Sequence, residues 1–547
     1  MYNIRMAKSR TRRVFQIILA LVTPVLFSLF PIISIKSHNA LDIPPNDALR
    51  PAVIAITATA VTMVIFWFVS RNLHKTSAAT SLTLLLFFSY GHVFGGFLDP
   101  LTYTFFNRVG LIGNHVPLMM LWVSIWLFGL WVIHRINKTY TQITSFLAIL
   151  AIVAIAQPGY KILRTELLLR QDWPVKTDTA TPGTASLSAG GNPLPDIYYV
   201  ILDGYARADI LKQVFDYDNE LFLDFLETEG FYVADQSRSN YGQSSLSLAS
   251  SLNFNYLNDY VTGVDKSSSD RLPLARLIRH SRVRKMLEAS DYRFVNLSSG
   301  YRTTELEDAD QYLAPSGGET TSMDRLLIDT SFLFALRDTA ASLGLKVIPA
   351  GFEAHRQRIE FAFDSLPRLA LQPGPKFVFV HIIAPHPPFV FGSEGEPVYD
   401  EYPFNLLDGD AFPGTRESYA RGYVDQLIYI NHRLQEVIPA LKKANPTPPI
   451  IIMQADHGPG MGLVWNSVYE SDLDERFSIL NAYYLPGADA TLLYESITPV
   501  NTFRLLFNLY FGMEYPLLND EFMFATWDQP YDFIPLTLRD GKLVSNP

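Results

Sequence analysis

The hydrophobic positions of this 547-residue chain follow two different patterns. Up to about residue 160 they form long, nearly unbroken runs, at residues 14–34, 51–69, 77–98 and 118–133. Each is close to the ~20 apolar residues that a helix needs to cross a bilayer. A fifth run, 143–156, is shorter and reaches that length only by continuing through Pro158 toward Leu163. Beyond residue 195 the apolar runs shrink to strand length. Ile197–Leu202 is one, and others lie in residues 230–235, 292–297, 376–383, 448–458 and 477–487. Helical patterns separate them, as in residues 419–441, where Tyr423, Leu427, Ile430, Leu434 and Ile438 recur every three or four positions. Short apolar strands alternating with helices predict a doubly wound, mostly parallel sheet covered on both faces.

The expected organisation is an N-terminal α-helical transmembrane bundle of about five spans (1–165), a linker (166–194) and an α/β domain (195–547). Residues 177–195, "TDTATPGTASLSAGGNPLP", are too rich in Thr, Ser, Gly and Pro to bury a core and read as a flexible tether. Orientation follows the basic residues at the span ends. Arg5, Lys8, Arg10, Arg12 and Arg13 precede the first span. Arg71 with Lys75, and Arg135 with Lys138, occupy the next two loops expected inside, whereas the outer loops hold only Lys36, Arg50 and Arg108. Five spans starting in the cytoplasm leave the C-terminal domain outside, and four would leave it inside, so the fifth run decides the compartment. The expectation is a multi-pass protein of the plasma (inner) membrane with an extracytoplasmic domain. The outer loop 99–117 mixes aromatics with few charges, which suits an interfacial segment and an ordinary connection equally.

Charge divides with hydrophobicity. Residues 1–194 carry 16 Lys+Arg against 6 Asp+Glu, a net of +10, while the remainder carries 28 against 48, a net of −20. So acidic a domain repels nucleic acid and does not adhere to anionic lipid by charge. An anionic substrate must be drawn in locally, most simply by a bound cation. With no cysteine in the chain, disulfides and thiolate metal sites are excluded.

Candidate chemistry gathers at the ends of the predicted strands. Ile197–Leu202 halts at Asp203-Gly204, the run in "PKFVFVHIIAPHPPF" contains His381 and ends near His386, and "PPIIIMQADHGPG" ends at Asp456-His457. Ligands of such sheets bind beyond the carboxyl ends of the strands, so these residues can share one site. "SNYGQSSLSLASSLN" adds a helix whose start carries Ser244, where free N–H groups and the helix dipole favour an anion. Each residue also has a plain reading: Asp203 in a turn, Ser244 as a helix cap, His386 as a surface histidine between prolines, His381 as a core histidine. A buried strand exit ending in Asp456-His457 needs partners, and that favours the metal reading.

With these residues in view, the C-terminal part resembles the alkaline phosphatase superfamily in its sulfatase-like branch. Four motifs in the right order carry the likeness, over roughly residues 195–515. Asp203 in "YYVILDG" matches the first metal-ligand position and Ser244 the nucleophile, with Ser250 and Asn253 fitting the helix behind it. Asp456-His457-Gly458 looks like the Asp-His-Gly metal motif, and His386 in "APHPPF" matches the substrate-binding histidine. His381 has a counterpart in phosphoethanolamine transferases, and five spans before such a domain are similar to those enzymes and to lipoteichoic acid synthases. No histidine follows His457, and Ile382 stands where a second-metal Asp would precede His386. The resemblance therefore implies one divalent ion, Zn or Mn favoured and Mg possible, on Asp203, Ser244, Asp456 and His457. The stretch "SSLSL" lacks the Pro and Arg of a formylglycine motif, and Ser245 lies one position from Ser244. The expected catalytic pair is Ser244 and His386, with His381, His386 and Arg476 as substrate-binding residues. The leading expectation is transfer of a phosphoethanolamine- or phosphoglycerol-type group from a membrane phospholipid to an envelope glycan or lipid through a phospho-Ser intermediate. The alternatives are a phosphoester or sulfate-ester hydrolase of the same fold, and a degenerate domain kept for binding or assembly.

Overall fold

The computed structural model describes residues 2–41, 43–94, 115–135, 140–173, 194–315, 322–342, 350–399, 402, 404–445, 447–488 and 490–545. The chain divides into two compact units, one of residues 1–166 and 319–351, the other of residues 167–318 and 352–547. Most of the predicted interfacial loop and of the Ser/Gly-rich linker fall outside the described residues.

Among the described residues, the first unit holds five long helices: α1 (Tyr2–His38), α2 (Leu49–Ser70), α3 (Leu73–Val93), α4 (Val116–Arg135) and α5 (Tyr140–Leu169). Four of them, α1, α2, α4 and α5, are long and apolar enough to cross a membrane. The short run at 143–156 therefore belongs to a full-length helix of 30 residues. The helix that falls short is α3, from the run at 77–98. It packs against α1, α2 and α4, and Thr76, Ser77, Thr80 and Ser81 in its first half are buried. Small polar residues at helix–helix contacts permit close approach without facing lipid, so α3 has less need of an apolar surface.

Residues 319–351 complete this unit from a distant part of the sequence. Helix Ser322–Thr330 packs on α1 and α3. Its Met323 is fully buried among Ile32, Ile35 and Ile43. The Phe332 N–H just beyond it donates to the Phe87 carbonyl of α3 at 2.8 Å.

The second unit is built on a seven-stranded sheet in the order β2-β7-β6-β1-β5-β3-β4. The strands are β1 (Ile197–Leu202), β2 (Tyr232–Val233), β3 (Arg293–Leu297), β4 (Gln311–Leu313), β5 (Lys376–Ile382), β6 (Ile450–Gln454) and β7 (Asn481–Tyr484). All pairings are parallel except those of β7, which runs against both neighbours. The three central strands β6, β1 and β5 are buried along their whole length, as unbroken apolar runs between two helical layers require. Side chains alternate between the faces. Tyr198, Val200, Leu202, Val378, Val380, Ile451 and Met453 enter one core, with Tyr423, Leu427, Ile430, Leu434 and Ile438 of helix Arg416–Ala444. Ile197, Tyr199, Ile201, Phe377, Phe379, Ile450 and Ile452 enter the other, with Leu246, Leu248 and Ala249 of helix Ser244–Ser251. The sequence pattern did not reveal β4 or a small antiparallel sheet of Phe522–Phe524, Ile534–Arg539 and Lys542–Ser545. The outer residues of the small sheet are largely exposed, which leaves little apolar pattern to read.

The first core gives a direct test. Ile430 is fully buried, so Ile430→Ala should destabilise the second unit by about 2–5 kcal/mol. Leu221, 84% exposed, should tolerate the same truncation within about 0.5 kcal/mol. Denaturant unfolding of the detergent-solubilised chain checks both.

Candidate functional site

Strand register brings the acidic residues together. β1 and β6 pair with Ile201 opposite Gln454, so two residues further on Asp203 and Asp456 face each other across the strand ends. Both continue the alternation that faces the second core, the face that helix Ser244–Ser251 covers. On the other side of β1, His381 of β5 lies opposite Ile201. Its Nε2 is 3.2 Å from Asp203 Oδ2 and 3.9 Å from Asp456 Oδ2, and its Nδ1 contacts Thr304 Oγ1 at 3.1 Å.

Asp203, Asp456 and His457 each offer a ligand atom within 4.8 Å of the others, and all three are buried. Asp456 Oδ1 accepts N–H bonds from His457 at 3.0 Å and Gly204 at 3.4 Å. Asp456 Oδ2 and Asp203 Oδ1 are buried and accept no hydrogen bond. The His457 Nδ1–H donates to the Gly458 carbonyl at 2.9 Å, which leaves the Nε2 lone pair facing Asp203 Oδ1 at 3.5 Å and Asp456 Oδ2 at 3.4 Å. Two unsatisfied carboxylate oxygens and one imidazole lone pair around a common point fit a divalent cation with mixed O/N ligation.

Ser244 opens its helix, and its Oγ is 3.0 Å from His457 Nε2. Ser245, the neighbouring candidate, also lines the adjacent cavity, of about 370 Å³. Asp203, His386, Asp408, His457 and Arg476 share that lining, with Trp465 and Trp527 also on its wall. His386 is fixed through its backbone N–H to the Asp203 carbonyl at 3.0 Å and its Nδ1 to the Pro387 carbonyl at 2.5 Å. His381 has a fully buried side chain and is not among the residues lining the cavity.

Arg476 is 1% exposed and ties three loops together. It donates to the Gly242 carbonyl at 2.8 Å, the Gly458 carbonyl at 3.1 Å and Asp408 Oδ2 at 2.8 Å. Its Nη2 is buried and has no partner. Asp408 was not anticipated from the sequence. It is buried, accepts from the Tyr419 hydroxyl at 2.8 Å and lies 3.7 Å from His386 Nε2. The one hint in "LLDGDAF" is an Asp-Gly turn like Asp203-Gly204, with no strand before it.

The electrostatics follow from burial among opposing charges. Burial alone would raise the Asp203 carboxyl; His386, His381 and His457 outweigh it and hold it low. Burial disfavours charge on His457, reinforced by Arg476. His381 goes the other way, because its bond to Asp203 overcomes burial.

The family model "Sulfatase" matches residues 224–504, about half the chain, and the chain belongs to that family. No curated protein matches it. Among solved structures, it is similar to the Zn-bound C-terminal periplasmic domain of EptC from Escherichia coli. That match has 13% identity and a TM-score of 0.41, covering 65% of this chain and 93% of that one. The integral membrane lipooligosaccharide phosphoethanolamine transferase EptA from Neisseria meningitidis matches at 11% identity and a TM-score of 0.38, over 90% and 95% of the two chains. A putative sulfatase, yidJ, from Bacteroides fragilis matches at 14% identity and a TM-score of 0.38, over 64% and 85%.

Glu475, beside Arg476, provides a pH test. Burial pushes its carboxyl up to about 7, only partly offset by the Gly462 N–H. Below the pKa of an exposed glutamate it is protonated whether the chain is folded or not, and stability is intact. As pH rises through about 7 the folded state must ionise a buried group, and stability is lost. Glu475→Gln should therefore raise the unfolding midpoint at pH 8, on the order of 2–3 kcal/mol, and have little effect at pH 4.5. Thermal unfolding at the two pH values measures the difference.

Proposed function

We propose that this chain is a membrane-anchored, metal-dependent phosphotransferase. It would move a phosphoethanolamine- or phosphoglycerol-type group from a membrane phospholipid to an envelope glycan or lipid, through a covalent phosphoserine at Ser244. The observation that carries this reading is Ser244 Oγ, 3.0 Å from His457 Nε2, beside two buried carboxylates with free oxygens, on the wall of a cavity. Helices able to cross a bilayer in the same chain support a lipid donor, since such a donor is met at the membrane surface. Counting α3, which packs against α1, α2 and α4, as the fifth crossing, a start in the cytoplasm at the basic N-terminus leaves the domain on the extracytoplasmic side of the plasma (inner) membrane.

Asp203, Asp456, His457 and Ser244 would hold one divalent ion, with Zn or Mn favoured by the O/N donor set and Mg possible. When bound it supplies Lewis acidity at a phosphoryl oxygen and lowers the pKa of the serine hydroxyl. In the first step Ser244 Oγ, ionised at the outset, attacks phosphorus, the bond from phosphorus to the glyceride oxygen breaks, and that oxygen takes a proton from protonated His386. In the second, His386 takes the proton of the acceptor hydroxyl, which attacks phosphorus and expels Ser244 Oγ. Free N–H groups at the start of helix Ser244–Ser251 favour the charge on the transferring group. Arg476 Nη2, buried without a partner, is the natural donor to a phosphoryl oxygen. His381 is assigned to orienting Asp203 from beneath, since its side chain has no exposure. Hydrolysis is the second reading, since the same parts serve it when water takes the place of the acceptor.

The full chain, purified with divalent metal and given head-group-labelled phospholipid, tests the assignment. Wild type should trap label on protein and Ser244→Ala should trap none, with turnover reduced by about 10³-fold or more. Label passing to a glycan or lipid means transfer, and label passing to water means hydrolysis. Equal trapping in both proteins removes Ser244 from the mechanism.

A further inference from the structure

We infer that the first unit contains a binding site for a glycerophospholipid, in a cavity of about 420 Å³ between α1, α3 and helix Ser322–Thr330. That volume lies within the ~300–1,000 Å³ typical of small-molecule sites. The inference rests on the geometry of this unit and is independent of the transferase reading.

The lining changes character along both helices in the same sense. On α1 the wall runs from Phe27 through Pro31 and Ser34 to His38, one face of the helix at steps of three and four. On α3 it runs from Leu84 through Phe88 and Ser89 to His92, again one face. Phe27 and Leu84 meet in one apolar cluster, which Phe88 joins, and this fixes the apolar end. The histidines lie eleven and eight residues further on, or roughly 16 and 12 Å at 1.5 Å per residue. Leu326 and Thr330 of the added helix repeat the apolar–polar pairing on the third wall. A ligand matching this space has a hydrocarbon chain at one end and a polar group at the other.

The polar end selects the sign of that group. No Asp or Glu lines the cavity among the described residues, so a cationic head group alone finds no partner there. The Ser34 hydroxyl, the second N–H of the Asn39 amide and two imidazoles provide donors, while the Ser89 hydroxyl donates to the Leu86 carbonyl at 3.4 Å. His38 Nδ1 is 2.8 Å from the Ser34 carbonyl, to which it donates, leaving Nε2 for a ligand. Both histidines are exposed at the helix ends. A phosphodiester flanked by two imidazoles accepts charge-assisted hydrogen bonds from their ring N–H groups. The combination of an acyl slot and a phosphate-binding rim identifies a glycerophospholipid.

The test uses the full chain in detergent micelles, with a phosphatidylglycerol probe carrying a diazirine at the end of one acyl chain. After irradiation, labelled peptides should concentrate on residues 27–39 and 84–92. A His38→Ala/His92→Ala double variant should lose labelling there by roughly tenfold, the loss of about one charge-assisted hydrogen bond. Unlabelled phosphatidylglycerol should compete and diacylglycerol should not. This arm uses the wild type alone and decides the matter even if the double variant fails to fold. Ser244→Ala should label like wild type, so failure of the catalytic assignment leaves this result standing. Label spread evenly over α2 and α4, unchanged labelling in the double variant, or equal competition by diacylglycerol each overturns the proposal.

Discussion

Two carboxylates buried side by side constrain the rest of the second unit. The register of β1 and β6 sets Asp203 against Asp456 where neither reaches bulk water. Burial opposes ionisation of Asp203, and the histidines around it outweigh that cost. The surrounding structure answers with positive charge and N–H groups. The N–H groups of Gly204 and His457 point at Asp456, and His381 approaches Asp203 from β5. One oxygen on each carboxylate stays unsatisfied. Such a pair of oxygens suits a divalent cation, since a buried charge without a partner costs several kcal/mol.

Held this way, the carboxylates require their neighbouring loops to stay in place, and Arg476 holds three of them. Its guanidinium joins the Gly242 carbonyl just before Ser244, the Gly458 carbonyl after His457, and Asp408. A lysine would present its donors from a single point, without the planar fork whose separate nitrogens reach acceptors on different loops. The crowding is visible at Gly458, where a Cβ would come within 2.1 Å of the Glu475 carbonyl. The same compactness buries Glu475 and moves its ionisation toward neutrality.

Much of this was legible in the sequence, for identifiable reasons. Unbroken apolar runs mark central parallel strands, and the polar residue that ends each run marks the sheet edge. That logic finds Asp203, His386 and Asp456-His457, and the glycine-led helix start finds Ser244. It does not find Asp408, which reaches the site from a loop with no strand before it and owes its place to Arg476 and Tyr419. Arg476 is expected to bind substrate, and its role in joining loops depends on contacts that are distant in sequence. His381 looked like either a core residue or a substrate ligand. The structure gives it core burial together with polar contacts to both carboxylates, a combination that a one-dimensional pattern does not express.

The membrane unit shows a different limit of pattern reading. Hydropathy reports how well a segment suits lipid, whereas a helix surrounded by other helices is selected for close packing. α3 is such a helix. Its buried Thr and Ser residues lower its apolar character where it meets its neighbours, and its far end supplies Phe88, Ser89 and His92 to the cavity. The long helix that falls short as a membrane span thus has the chemistry suited to a polar head group. The wall that completes the cavity comes from residues more than two hundred positions later, beyond the reach of any local window. A helix that appears marginal as a membrane span is, for the same reason, a good candidate to line a binding site, because side chains that need not satisfy lipid are free to contact a ligand.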